Sequence, residues 1–127
     1  MPHILLLEPD SLLAASLAAG LRSAGHNVSA HKDPQAAVTA ADGQCPDVII
    51  TELQLAARSG AEFLYEFASY ADWQSVPVIV LTNLHPQQAE AYAEVMSQLN
   101  VRACLYKPHT SLDQILNQLH RALPAIV

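Results

Sequence analysis

Five side chains able to carry chemistry lie far apart in the chain, yet each follows an apolar run. Glu8 and Asp10 come after HILLL, Glu52 after VIIT, Thr82 after VPVIVL, and Lys107 just beyond VRACL. If those runs are parallel β-strands, the side chains leave from the carboxyl ends, where open α/β sheets gather their ligands and reactions. Three carboxylates, a hydroxyl and a lysine would then share one pocket. Such a set suits a reactive carboxylate, a fixed ion pair or a hard cation held by oxygen.

The elements that must position them are legible. Strands are expected over His3 to Leu7, Asn27 to His31, Val48 to Thr51, Val76 to Leu81 and Val101 to Leu105. The first helix is expected from Ser11 to about Ala24, with Leu13, Leu17 and Leu21 on one face and Gly25 ending it. Asp33 followed by Pro34 reads as an N-cap and first helical residue, with Gly43 as the stop. A loop through Arg58 and Gly60 leads to a helix over Ala61 to Ser69, and Pro86 to Gln98 reads as one further helix. SLDQ at Ser111 to Gln114 has the form of a capping box and opens a last helix to about Leu123. Continuous runs such as VIIT suit strands buried on both faces, so the architecture is an open parallel sheet with helices on both sides.

Composition narrows the function. The chain has 127 residues, 51% of them hydrophobic, and a formal net charge of −6. Six dispersed Lys and Arg residues do not form the basic face that a nucleic-acid backbone requires. No apolar stretch approaches membrane-spanning length and no N-terminal signal pattern is present, so a soluble cytoplasmic protein that binds other proteins is expected. Cys45 and Cys104 are expected to be buried thiols. The six histidines have no metal-ligand spacing; His109, next to Lys107-Pro108, stands nearest the expected pocket. Neither a phosphate-cradling glycine loop nor a nucleophile elbow is present, which argues against an independent enzyme.

The quoted segments together resemble the receiver domain of bacterial two-component response regulators. ILLLEPDSLLAASLAAGLRSAGH is similar to that family's first strand, acidic turn and first helix, and PDVIITELQ to the segment ending in the phosphoacceptor. VPVIVLTN resembles the strand that ends in the hydroxyl residue, and YKP supplies the Lys-Pro pair. The resemblance implies one receiver-like domain over residues 1–127. Its fold would be flavodoxin-like and doubly wound, with five parallel strands in the order 2-1-3-4-5 and five flanking helices. It also implies signal transduction through an aspartyl phosphate received from a histidine kinase, with Mg²⁺ at the acid pair.

Three positions depart from that pattern. Glu52 stands where the family places an acceptor Asp, Pro9 where it places the second metal-binding acid, and Cys104 where it places an aromatic switch residue. The expectation is therefore a pseudo-receiver. Its degenerate pocket would comprise Glu52, Glu8, Asp10, Thr82 and Lys107, with no catalytic residue and no required metal or cofactor. A weakly held Mg²⁺ on the acids stays open at this point. The partner is expected to be a protein, or a second copy meeting the surface formed by the fourth helix, fifth strand and fifth helix. A phosphorylatable receiver, or the receiver portion of a transcriptional regulator, is the alternative.

Overall fold

The computed structural model describes residues 2–55 and 60–123. The elements are β1 (His3–Leu7), α1 (Ser11–Ser23), β2 (Asn27–His31), α2 (Pro34–Gly43), β3 (Val48–Thr51) and α3 (Gly60–Ala68). They continue with β4 (Val78–Thr82), α4 (Pro86–Ala89), α5 (Ala93–Gln98), β5 (Val101–Tyr106) and α6 (Leu112–Ala122). Single 3-10 turns cover Glu90–Tyr92 and Lys107–His109. Arg58, expected in the loop after β3, lies outside the described residues. No helix among the described residues is long and apolar enough to cross a membrane.

All the strand pairs are parallel, and the order is β2-β1-β3-β4-β5, as the resemblance implied. Alternation along the central strands divides the apolar side chains between two faces. Ile4, Leu6, Val48, Ile50, Ile79 and Leu81 pack against Leu21 of α1 and Ile115 and Leu119 of α6. Leu5, Leu7, Ile49, Val78 and Val80 face α2 and α3, where Ala37, Val38, Phe63, Leu64 and Phe67 complete the second layer. Trp73 closes that layer, stacked 4.7 Å from Phe67.

Local chemistry sets the helix ends. Asp10 caps α1 through Leu12 and Leu13, Asp33 caps α2 through Ala36, and Ser111 and Gln114 form the reciprocal capping box of α6. Gly25 adopts φ +95°, a left-handed conformation open to glycine, and turns the chain from α1 into β2.

Three expectations need correction. Strand β4 begins at Val78 and not at Val76, because Pro77 has no N–H for the ladder and the Val76 N–H closes a turn onto the Trp73 carbonyl. The single helix expected over Pro86 to Gln98 is divided by the 3-10 turn; α4 buries only Ala89, so little packing holds the segment in one regular helix. Cys45 and Cys104 are exposed. For Cys104 the cause is the sheet edge: β5 has neighbours on one side only, and its burial alternates. A bulge around Arg102 lets Val101 pair with Val78 while Ala103 pairs with Ile79. Cys104 thereby falls on the face of Val80 and Thr82, beneath the thinly packed α4–α5 segment.

Candidate functional site

The site is rooted in the sheet. The Glu8 N–H donates to the His31 carbonyl at 2.9 Å, and the Glu52 N–H to the Leu7 carbonyl at 3.1 Å. Both acids therefore leave strand ends from fixed backbone positions. Glu8 and Glu52 are 2% and 3% exposed, and Thr82 is 1% exposed.

Lys107 reaches the pocket from the turn after β5. Its Nζ lies 2.5 Å from Glu8 Oε1 and 2.8 Å from Glu52 Oε1, so one ammonium bridges both carboxylates. The Glu52 oxygens take three further donors and Glu8 one. Glu52 Oε1 accepts from the Asn83 N–H at 3.0 Å. Glu52 Oε2 accepts from the Leu53 N–H at 2.6 Å and the Gln54 N–H at 3.2 Å. Glu8 Oε2 accepts from the Asp10 N–H at 3.0 Å. The Thr82 hydroxyl oxygen accepts from the Leu84 N–H at 3.1 Å, and the hydroxyl helps to lower the Glu52 titration.

Burial by itself would push the Glu52 carboxyl up. The bonds from Lys107 and Thr82, together with the Asn83 and Gln54 N–H groups, more than offset it and hold the group below its ordinary value. Glu52 is thus an ionised carboxylate fully supplied with donors. The arrangement holds one negative charge in place, since two carboxylates oppose one ammonium.

Of the expected pocket residues, Glu8, Glu52, Thr82 and Lys107 come together and Asp10 does not. The Asp10 carboxylate is spent on the N–H groups of Leu12 and Leu13 at 3.0 Å and 3.1 Å, and the residue is exposed. A helix N-terminus has unpaired N–H groups that must find acceptors, and Asp10 is the residue in place to supply one. His109 stands over Tyr106, edge to face at 5.1 Å, and is exposed.

The donor set does not fit a divalent cation. Pro9 offers no carboxylate, Asp10 caps the helix, and an ammonium already lies between the two remaining acids. Among the described residues no group of three or more His, Cys, Asp or Glu side chains is placed to hold a metal ion.

Sequence reasoning missed the N–H groups of Leu53, Gln54 and Asn83. Every residue but proline carries such a group, so no residue type could have marked them. It also missed a groove of about 320 Å³ lined by Thr82, Ala89, Glu90, Met96, Cys104 and Tyr106. Cysteine at 104 was the available signal, being a small side chain where the resemblance implied an aromatic one.

Residues 4–120 match the family described as response regulator receiver domain. The chain is 30% identical over 79 residues to the probable transcriptional regulatory protein TcrX of Mycobacterium tuberculosis, a match covering 62% of this chain and 33% of that protein. The chemotaxis response regulator CheY4 of Vibrio cholerae superposes with a TM-score of 0.84 at 22% identity, over 97% of this chain and 99% of that one. The receiver domain of the sensor histidine kinase PA1611 of Pseudomonas aeruginosa PAO1, solved with magnesium in its active site cleft, has a TM-score of 0.83 at 27% identity. That match covers 95% of this chain and 96% of the other.

Proposed function

The chain belongs to the response regulator receiver domain family, a family of non-catalytic signalling modules, and from that membership we propose a receiver whose output does not depend on phosphorylation. It acts as a protein-interaction module with its pocket charge built in. The observation that carries this reading is the Glu52 carboxylate, whose two oxygens receive Lys107 and three backbone N–H groups.

Three physical arguments support it. Attack on a phosphoryl group needs a carboxylate oxygen with a free, aligned lone pair, and here both oxygens are engaged. The extra methylene of Glu relative to Asp displaces the attacking atom by roughly a bond length, and an error near 1 Å in a positioned reaction costs about 10²-fold. The entering phosphoryl group is itself anionic and meets a pocket that keeps one uncompensated negative charge.

Glu52 resembles the modified state in kind more than in size. A carboxylate contributes about one negative charge, against about −1.5 to −2 for a phosphate. It nonetheless holds Lys107 and the Thr82–Asn83 turn in a single arrangement, and that turn leads into α4. The surface formed by α4, α5, β5 and α6 is then presented to a protein partner in one standing state.

Beryllofluoride with Mg²⁺ tests the reading. The amide NMR spectrum of the wild-type chain is expected to stay unchanged when both are added. Shifts spreading from Glu52 and Thr82 into α4 and β5 would assign the pocket to phosphate-responsive signalling instead.

A further inference from the structure

We infer that His26 and His120 form a two-histidine site for a divalent metal ion that prefers nitrogen ligands, of the Zn²⁺ and Cu²⁺ kind. The site lies at the amino end of β2, away from the carboxylate pocket, and does not depend on the reading above.

His26 is a donor without a partner. It follows Gly25, whose φ of +95° turns the chain out of α1, and its backbone N–H donates to the Leu21 carbonyl at 3.2 Å. That tether holds the imidazole inside. The residue is 6% exposed, and neither Nδ1 nor Nε2 has a hydrogen-bond partner among the described residues. Buried polar groups are nearly always paired, and an unpaired one points to an ion or a water that completes it. Because neither nitrogen is committed elsewhere, the neutral ring can place its lone pair on whichever one faces a metal.

His120 supplies the second imidazole. It stands in the last turn of α6 beside the fully buried Leu119, and its ring centroid is 6.0 Å from that of His26, with the planes tilted by 43°. With metal–nitrogen bonds of about 2.0–2.1 Å, two imidazoles on one ion have centroids roughly 5 to 6.5 Å apart. The observed spacing therefore suits a shared ion with little movement of either ring. His120 is exposed, so an ion enters from solvent and water fills the positions that two protein ligands leave open. Imidazole selects Zn²⁺, Cu²⁺ or Ni²⁺ over Mg²⁺, which takes oxygen.

The packing beneath holds the pair in place. Leu21 of α1 and Ile115 and Leu119 of α6 belong to one layer on one side of the sheet. An ion on His26 and His120 would tie the turn after α1 to the end of α6 above that layer. The two histidines lie far apart in the chain, so no ligand spacing in the sequence marks them.

The test is an amide NMR titration of the full untagged chain, stripped with EDTA and exchanged into chelator-free buffer, with ZnCl₂ and with MgCl₂ as the oxygen-preferring control. Zn²⁺ is expected to bind with a dissociation constant on the order of 0.1 mM and to shift His26, Asn27, Leu119 and Arg121. His120→Asn changes an exposed residue, so it is expected to keep the folded spectrum and to weaken binding by about tenfold or more. His26→Leu is expected to weaken it to the same degree. His31→Asn removes a histidine of β2 outside the pair and is expected to stay within about twofold of wild type. Unchanged affinity in His120→Asn, equal shifts with Mg²⁺, shifts centred on Glu8 and Glu52, or no saturable shift up to about 1 mM Zn²⁺ would each overturn the inference.

Discussion

Lys107 Nζ lies 2.8 Å from Glu52 Oε1, in a pocket where the lysine side chain is 9% exposed and the glutamate 3%. The same ammonium reaches Glu8. Two strand-end acids and the turn after β5 are thereby tied through one nitrogen, and the pair sets what the pocket can do.

Removing that nitrogen should be costly. Lys107→Met leaves Glu8 and Glu52 facing each other, buried and without the intervening cation. Breaking one partner out of a buried ion pair costs roughly 3–5 kcal/mol, so a loss of that order is expected in urea denaturation at neutral pH. Glu52→Gln keeps an acceptor for the backbone N–H groups and leaves Lys107 paired with Glu8, so it should cost less. A loss from Lys107→Met below about 1 kcal/mol, the range of exposed pairs, would show the bridge to be solvated.

Acid should weaken the fold through Glu52 in a defined window. The folded carboxyl titrates below its ordinary value of 4.5. Its contribution to stability is therefore complete above the unfolded value and is lost as pH falls through the folded one. Melting temperatures of wild type and Glu52→Gln, followed downward from about pH 5, should converge as that contribution disappears. Parallel curves throughout would contradict the lowered value.

A second acid response should come from the opposite end of the sheet. His26 is 6% exposed, neither ring nitrogen has a hydrogen-bond partner among the described residues, and its ring centroid lies 6.0 Å from that of His120. Burial first and His120 second push its titration below 6.5. The unfolded chain then binds the proton more readily, so stability falls as pH drops through the unfolded value toward the folded one. His26→Leu should flatten the stability profile between about pH 7.5 and 5.5. It should also gain stability at neutral pH, since an unsatisfied buried polar group costs about 1–3 kcal/mol.

Asp10 provides a control. As an N-cap it should lose about 1 kcal/mol on replacement by Ala and only a few tenths on replacement by Asn, which caps equally well. Neither change should move the amide signals of Asn83 or Gln54. A shift at those positions would place the Asp10 carboxylate in the pocket after all.

The fold was legible because its signals are local and mutually consistent. VIIT read as a buried parallel strand and SLDQ as a capping box, and both readings hold in the structure; VPVIVL read as a strand too, and it holds from Val78 onward. Strand phase alone brought Glu8, Glu52, Thr82 and Lys107 to one end of the sheet. Asp10 misled because a carboxylate three residues past a strand end serves equally as a metal ligand or a helix cap, and only the direction of the chain decides. Cys104 misled because its apolar neighbours suggested a core, whereas the bulge at Arg102 and the open sheet edge expose it. The donors around Glu52 are backbone groups, which have no sequence signature.

The most direct measurement is intact mass spectrometry with peptide mapping after incubation of the wild-type chain with acetyl phosphate and Mg²⁺. The occupied Glu52 carboxylate predicts an unmodified protein with no phosphoryl group on the peptide that contains Glu52. A stoichiometric, hydrolysable phosphoryl adduct on Glu52 would contradict the account and return the protein to the phosphorylated receivers.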